Sequence, residues 1–239
     1  MQGTLGVYID GFNLYYGALA KRANHRWLDL QLLVRQIEPN FKNYEVNFFS
    51  AHLRQQFKDD LEPNRHSTYL NALVASGVKV KLGYFRKDST LLNFATDDWA
   101  QAIVPAPRGL GKIACILKFV FPSTTPLNQR KARVLKLEEK ATDVNLATQL
   151  LADAFNRKID AALVISGDAD LASAINETRN LGIAVTIANP DRSGRVSRLL
   201  LESSDKVIQI RDFDLNELQM PTSIVGRNGR PITRPRAWT

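Results

Sequence analysis

Four aspartates stand at points of this sequence where a buried strand is predicted to end or a helix to begin. Asp10 closes the apolar run LGVYI, and Asp168 and Asp170 follow the run AALVIS. Asp143 begins a helical stretch, with Glu139 shortly before it. Converging carboxylates repel one another, so such a set needs a cation or shared protons. Hard oxygen ligands favour Mg²⁺ or Mn²⁺, which can activate water for hydrolysis of a phosphodiester bond.

Helix capping is an alternative explanation for each aspartate taken alone. Asp10 also fits a turn in which it caps the following helix, and Asp143 fits the N-cap of its own helix. Asp168 and Asp170 fit capping equally well. Because helix N-termini also attract anionic groups, capping and metal binding do not exclude each other. The coincidence at three strand ends favours one shared site.

The elements that must position these residues alternate between strand and helix. Strands are predicted over 5–9, 44–51, 78–85, 133–138, 161–166, 183–188 and 206–210, and helices over 12–23, 30–38, 63–76, 143–155, 170–180 and 194–202. This alternation predicts an α/β fold with a doubly wound parallel sheet. Ligands of such sheets bind outside the carboxyl ends of the strands, where the aspartates stand.

The regular pattern is interrupted between residues 86 and 132 by prolines and glycines. We interpret 86–132 as an insertion or irregular excursion within a domain of residues 1–215. Two roles fit this excursion, substrate specificity or a contact in a homodimer. After Glu217 the chain carries arginines and no acidic residue, so 216–239 is predicted to be an extended basic tail.

The charge balance favours a polyanionic partner. Lys and Arg number 32 against 24 Asp and Glu, a formal charge of +8. Basic side chains that neutralise phosphates release counterions, which favours nucleic acid binding. Arg192, Arg195 and Arg198 follow the predicted strand 183–188. They are candidates for contact with nucleic acid, and they fit the solvated face of a helix equally well.

Other features of the sequence bear on the cellular compartment in which the protein is expected. No apolar run reaches the roughly 18 residues that a membrane span needs, and the N-terminus lacks the pattern of a secretory signal. The one cysteine, Cys115, excludes an internal disulfide and a cysteine-cluster zinc site. We therefore expect a cytoplasmic protein without a membrane partner.

Three segments resemble, in order and spacing, the motifs of NYN-domain proteins, a branch of the PIN-like nuclease superfamily. VYIDGFNLYYG at 7–17 resembles the first motif and VISGDADLASAI at 164–175 the third. EEKATDVNLATQLLADAF at 138–155 resembles the second motif, in the form of the LabA-like group. The resemblance implies a PIN-like three-layer α/β/α sandwich with a mainly parallel sheet, an acidic metal site and, for many members, RNA cleavage.

The resemblance also implies roles for individual residues. Ala141 departs from the family, because relatives often carry glycine there, but this departure removes no ligand. The matched positions are Asp10 as the first acid with Asn13 supporting it, Asp143 as the middle acid, Asp168 and Asp170 as the paired acids, and Ser166 as a small polar residue near the metal.

The leading hypothesis is a ribonuclease that uses Mg²⁺ or Mn²⁺ and the four aspartates. An alternative of another class is a regulatory module that binds RNA or protein and keeps the fold without catalysis. DNA also remains a substrate to consider, because metal and phosphate chemistry does not require the 2′-hydroxyl group.

Overall fold

A computed structural model of the chain describes residues 3–53, 55, 59–93 and 131–239, without the side chains of 87, 88, 90–93 and 131–139. The chain forms two compact units. One comprises Met1–Tyr84 and Ala141–Thr239, and the other Phe85–Lys140. Most of the predicted excursion 86–132 lies outside the described residues.

Strands and helices alternate along the described chain, as predicted. The strands are β1 (Thr4–Asp10), β2 (Asn43–Ala51), β3 (Lys79–Asn93), β4 (Lys131–Lys140), β5 (Ala161–Ile165), β6 (Ala184–Asn189), β7 (Lys206–Gln209), β8 (Ser223–Val225) and β9 (Pro231–Thr233). The helices are α1 (Gly11–Leu14), α2 (Leu30–Ile37), α3 (Glu62–Ala75), α4 (Thr142–Phe155), α5 (Ala172–Asn180) and α6 (Arg198–Ser203). No helix in the described ranges is long and apolar enough to cross a membrane.

The first unit is built on a parallel sheet whose strands follow the order β3-β2-β1-β5-β6-β7. Within the second unit, β4 is the neighbour of the continuing β3. β1 and β5 are central and almost wholly buried, which explains their uninterrupted apolar sequences. The predicted α/β fold with a mainly parallel sheet is therefore confirmed.

Two hydrophobic cores cover the two faces of this sheet. Leu5, Val7 and Ile9 of β1 face a core with α2 and α3, while Tyr8 faces a core with α4 and α5. Successive strand residues point to opposite faces, so one strand supplies both cores. The resulting arrangement of helices, sheet and helices is the expected three-layer α/β/α sandwich.

The predicted helix over 12–23 is divided in the structure. After α1 the backbone widens into a π-helical turn over Tyr15–Leu19, closed by a 2.7 Å bond from the Ala20 amide to the Tyr15 carbonyl. Gly17 lies in this turn, where an added Cβ would come within 2.8 Å of the Pro190 carbonyl oxygen. The turn is therefore held against the loop that follows β6.

The segment 216–239, predicted to be an extended basic tail, packs against the first core instead. Trp238 is 4% exposed, and its ring lies 6.3 Å from that of Trp27 and 6.2 Å from that of Tyr69. The Met220 amide donates to the Trp27 carbonyl at 3.0 Å. The prediction was wrong because it rested on the arginines alone. The apolar residues between them are buried, and removing their surface from water stabilises the packed segment.

Candidate active site

Three parallel strands end at the same edge of the sheet and bring polar side chains there. Ile9 of β1 is in register with Ile165 of β5, and Ile165 with Ala188 of β6. The next residues along the three strands are Asp10, Ser166 and Asn189, which are 4%, 1% and 0% exposed. Burial of three polar side chains at one carboxyl edge marks the place where open parallel sheets bind ligands.

Asp10 is held by hydrogen bonds to both of its carboxylate oxygens. The Asn13 amide donates to Oδ1 at 2.9 Å, so Asp10 caps α1 as its N-cap residue. The Ser166 hydroxyl donates to Oδ2 at 3.2 Å. Because each carboxylate oxygen accepts about two hydrogen bonds, capping leaves Asp10 able to accept a further ligand.

The turn after β5 is tied to Asp10 through two side chains. The Gly167 amide donates to Asn13 Oδ1 at 3.0 Å, and the Asp168 amide donates to Ser166 Oγ at 3.1 Å. The Asp170 amide then donates to Asp168 Oδ1 at 3.0 Å, so Asp168 caps a short 3₁₀ turn. Asn13 and Ser166 thus connect the ends of β1 and β5.

The carboxylates at this edge influence one another electrostatically. Burial raises the pKa of Asp10 to about 6, with the Asn13 and Ser166 hydrogen bonds lowering it and the charges of Asp143 and Asp168 raising it. Partial desolvation, followed by the charges of Asp168 and Asp170, raises the pKa of Asp143. The charges of Asp143 and Asp168 therefore act on Asp10, and those of Asp168 and Asp170 act on Asp143.

Asp143 is positioned differently from the sequence-based expectation. It does not cap α4, because the helix begins at Thr142 and its N-cap residue is Ala141. Asp143 lies in the first turn of α4, where its own side chain is exposed. Ala141 adopts a left-handed conformation with φ of 75°, which glycine adopts with less strain than alanine.

Replacing Ala141 with glycine should stabilise the protein. The left-handed conformation costs an alanine roughly 1–2 kcal/mol, and the extra chain entropy of glycine offsets part of the gain, leaving about 0.5–1 kcal/mol. Urea denaturation measures the difference. Gly182→Ala is the matched control, since φ is 85° and no atom lies within 4 Å of the added Cβ. It should lose stability by a similar amount, and equal stabilities for Ala141→Gly and wild type would contradict the strain argument.

The structure does not assemble the predicted ligand set into a ready-made cage. Across the described parts of the chain, no group of three or more His, Cys, Asp or Glu side chains is arranged to hold a metal ion. Asp10 and Asp168 are linked through Ser166, while Asp143 and Asp170 are more exposed. The side chain of Glu139 lies outside the described residues.

The predicted basic residues follow β6 in a loop that reaches the same edge. Arg195 is exposed. Although partial burial raises the pKa of Asp191, the hydrogen bonds from Ser193, and then the charges of Arg195 and Arg211, keep it below its usual value. Arg192 lies in the same loop, and its carbonyl accepts from Arg211 at 3.3 Å. Arg198 instead forms a 2.6 Å ion pair with Glu202 within α6, the pattern of a solvated helix face.

Asn189 was missed by the sequence analysis although it positions this basic loop. Its side-chain amide donates to the Arg195 carbonyl at 2.9 Å and to Gln209 Oε1 at 3.1 Å, and its Oδ1 accepts from the Asp191 amide at 3.2 Å. Its place at the end of β6, before Pro190, was the available signal, because it matches the strand-end position of Asp10.

Comparison with known proteins connects this geometry with a family. The family model described as "NYN domain" matches residues 119–211, which include the second and third motifs and leave out the first at 7–17. The 6-hydroxy-3-succinoylpyridine 3-monooxygenase HspA of Pseudomonas putida (strain DSM 28022 / S16) is 25% identical, covering 97% of this chain and 74% of that protein. That identity is too low to transfer an activity.

One solved structure is also similar, that of the protein of unknown function VPA0982 from Vibrio parahaemolyticus RIMD 2210633. It shares 12% sequence identity, the match covers 88% of this chain and 94% of that chain, and the TM-score is 0.46. At this score the likeness carries no argument. Residues 119–211 thus match the NYN domain model, NYN domains belong to the PIN-like nuclease superfamily, and the parallel α/β sheet is consistent with such a fold.

Proposed function

We propose that this protein is a divalent-metal-dependent ribonuclease that hydrolyses RNA phosphodiester bonds at Asp10, Asp143, Asp168 and Asp170. One observation carries the proposal. Asp10 is buried at the carboxyl edge of the parallel sheet, near other carboxylates whose charges oppose its own ionisation. A site that accumulates negative charge in this way is stabilised by a cation.

The donor set suits Mg²⁺ or Mn²⁺. Mg²⁺ usually keeps several waters and takes one or two protein carboxylates together with substrate phosphate oxygens. Asp10 and Asp168 are the pair that we expect to hold it, with Asp143 and Asp170 contributing through water, which agrees with the absence of a three-residue cage among the described residues. When bound, such an ion lowers the pKa of water and stabilises the leaving oxygen.

The residues around the carboxylates position them. Ser166 bridges Asp10 Oδ2 and the Asp168 amide, and Asn13 joins the first turn after β1 to Gly167. Asp10 is thereby held by a neighbour in α1 and by one in the turn after β5 before any substrate arrives. Such preorganisation is what positional catalysis requires.

Three features support RNA as the substrate. The chain carries a formal charge of +8, and the loop with Arg192 and Arg195 reaches the carboxylate edge next to Asn189. Many members of the family that the chain resembles cleave RNA. Arg192 and Arg195 are therefore proposed to contact phosphates, while Arg198 is the weaker candidate because Glu202 already pairs with it.

Cleavage of labelled RNA tests the proposal directly. Wild type should cleave with Mg²⁺ or Mn²⁺ and not with EDTA, and Asp168→Asn should lower the rate at least about a hundredfold. Asp160→Asn is the matched control, because this exposed aspartate accepts from the Thr4 amide at 2.7 Å at the opposite edge of the sheet. It should cleave as wild type does.

Two results would overturn the proposal in different ways. RNA that is bound but stays intact with both metals would identify a binding module without catalysis. Cleavage restricted to single-stranded DNA in a parallel reaction would keep the nuclease chemistry and reject RNA as the substrate.

A further inference from the structure

A chain of hydrogen bonds ties α4 to the sheet, and we call its members the α4 anchor: Tyr8, Asp153, Gln149 and Lys81. The Tyr8 hydroxyl donates to Asp153 Oδ2 at 3.0 Å, and Gln149 Nε2 donates to the same oxygen at 2.8 Å. The Lys81 ammonium donates to Gln149 Oε1. Because Tyr8 belongs to β1 and Lys81 to β3, the α4 anchor joins one helix to two strands.

Tyr8 and Asp153 form the buried part of the α4 anchor. Tyr8 is 0% exposed and Asp153 is 5% exposed. The Tyr8 ring leans back along β1 over Gly6, where an added Cβ would come within 2.7 Å of the Tyr8 hydroxyl oxygen. A glycine inside a strand often marks such a close approach. Gly6 therefore leaves the space in which Tyr8 reaches the last turn of α4.

The α4 anchor and the carboxylates lie at opposite ends of α4. Asp143 is in the first turn, where its charge acts on Asp10, and Asp153 is in the last turn. The ten residues from Asp143 to Asp153 span about 15 Å of helix. The four residues of β1 from Gly6, beside the Tyr8 hydroxyl, to Asp10 span roughly 13 Å. These lengths agree, so α4 runs antiparallel to β1 with one contact near each end.

The start of α4 is not fixed by a side-chain cap. Its N-cap residue, Ala141, makes no side-chain hydrogen bond to the first turn. The apolar side of the helix, with Leu146, Leu150 and Ala154, packs in the second core, and hydrophobic burial is not directional. A hydrogen bond requires a defined distance and angle. The bond from Tyr8 therefore adds a directional restraint on the axial position of α4 that apolar packing does not supply.

The cost of burying a carboxylate favours a role other than stability for the α4 anchor. The partners of a buried carboxylate only offset this cost, and apolar side chains of similar size are often equally stabilising. Asp153 is such a carboxylate, with Lys158 Nζ 3.6 Å from Oδ1. A polar pair differs from an apolar pair in the geometry that it imposes. Where a reaction depends on positioning, a displacement of about 1 Å costs up to roughly a hundredfold in rate.

We propose that Tyr8 and Asp153 are positioning residues of the nuclease site, which hold α4 where Asp143 and Asp10 act on the same divalent ion. The inference rests on the proposed function. Loss of the Tyr8 hydroxyl would let α4 shift along β1 and move Asp143 relative to Asp10, while the basic loop after β6 stays in place. The rate of cleavage and the affinity for the ion should therefore fall together, and the affinity for RNA should not change.

Tyr8→Phe tests this positioning, because it keeps the ring and removes the hydroxyl. The kcat of RNA cleavage should fall roughly 10- to 100-fold, with KM changed by less than about twofold. Calorimetric titration with Mn²⁺ in the absence of RNA should show about tenfold weaker binding.

Tyr69→Phe is the matched control, because Tyr69 is 5% exposed in the first core and its hydroxyl donates to the Leu28 carbonyl at 2.9 Å. It removes the same group from a buried tyrosine on the other face of the sheet. The urea midpoint should fall by an amount similar to that of Tyr8→Phe. Both kcat and Mn²⁺ affinity should equal those of wild type.

A double variant separates positioning from stability. Tyr8→Phe combined with Asp153→Leu replaces both buried polar partners with apolar side chains, which should return the urea midpoint to near that of wild type. Gln149 and Lys158, which lose a partner, both reach solvent. The kcat and the Mn²⁺ affinity should stay as low as in Tyr8→Phe, because the directional bond is still missing.

Two results from these variants would overturn the proposal. One is wild-type Mn²⁺ affinity in Tyr8→Phe with native circular dichroism. The other is recovery of Mn²⁺ affinity together with the urea midpoint in the double variant, which would make the α4 anchor a stabilising contact alone. Because calorimetry requires no turnover, a wild type that binds Mn²⁺ and cleaves no RNA rejects the nuclease and still tests the α4 anchor. A wild type that binds no Mn²⁺ rejects both proposals.

Discussion

Asp10→Asn is expected to abolish RNA cleavage and at the same time to stabilise the metal-free protein. The loss of activity should be about a thousandfold or more, because a carboxylate that holds a divalent ion contributes several kcal/mol to the transition state. The asparagine side chain keeps an oxygen that accepts from the Asn13 amide. The variant should therefore fold with the wild-type arrangement of α1.

The gain in stability follows from the raised pKa of Asp10. Its pKa is about 6 in the folded chain against 3.8 for an ordinary aspartate. The folded state therefore binds more protons between these values, and wild-type stability falls as the pH rises through this window. The penalty reaches at most about 3 kcal/mol above pH 6. Asparagine removes it, and the lost Ser166 hydrogen bond offsets about 1 kcal/mol, leaving a net gain of about 1–2 kcal/mol.

Urea denaturation in EDTA at pH 7 and below pH 4 measures this effect. Asp10→Asn should be the more stable protein at pH 7, and the advantage should shrink below pH 4 and vanish near about pH 3, where Asp10 is protonated in both the folded and unfolded chain. Asp160→Asn should show neither the activity loss nor the gain. A variant that loses stability at pH 7 would show that the hydrogen bonds to the carboxylate outweigh the cost of burying its charge, contrary to the raised pKa of Asp10.

Trp238→Ala is expected to destabilise the protein by about 3–5 kcal/mol, the usual cost of removing a buried tryptophan. Trp238 lies against Trp27 and Tyr69 and is 4% exposed. The same contacts join the end of the chain to the first core, so the loss should appear in global unfolding. Thermal and urea denaturation measure it.

Two further substitutions in the same segment test whether the lost stability comes from the packing of a buried ring. Trp238→Phe should recover much of the lost stability because it keeps an aromatic ring. Val225→Ala, at a residue 73% exposed, should change stability by less than about 0.5 kcal/mol. If Trp238→Ala unfolds at the wild-type urea concentration, the terminal segment does not stabilise the core.

Local sequence patterns were sufficient to predict most of the strands and helices. The runs before Asp10 and before Gly167 are buried strands because both faces of a central parallel strand are covered, which leaves no polar alternation in the sequence. Helix α2 was predictable from its apolar period and from Asp29, whose carboxylate caps it through the Gln31 and Leu32 amides. These signals depend on neighbours within one or two turns, so they are visible in the sequence.

The packing of the terminal segment and the lengths of the helices were harder to predict from the sequence. The partners of Trp238 are Trp27 and Tyr69, far away along the chain, and no local pattern identifies them. In the π-helical turn, Gly17 lies so close to the Pro190 carbonyl that an added Cβ would come within 2.8 Å of its oxygen. Both features are long-range contacts, and they override what the local propensities of these segments favour.

The sequence by itself determined that acidic residues stand at strand ends and that the strands are those of a parallel sheet. Only the tertiary structure decided that β1 lies between β2 and β5, and this order sets Asp10 beside Ser166 on one side and beside Phe49 of β2 on the other. It also assigned capping to Asp10 and Asp168 but not to Asp143. The physical reason is that strand ends become neighbours only when the whole sheet is assembled and its two cores are filled, whereas strand and helix patterns are local.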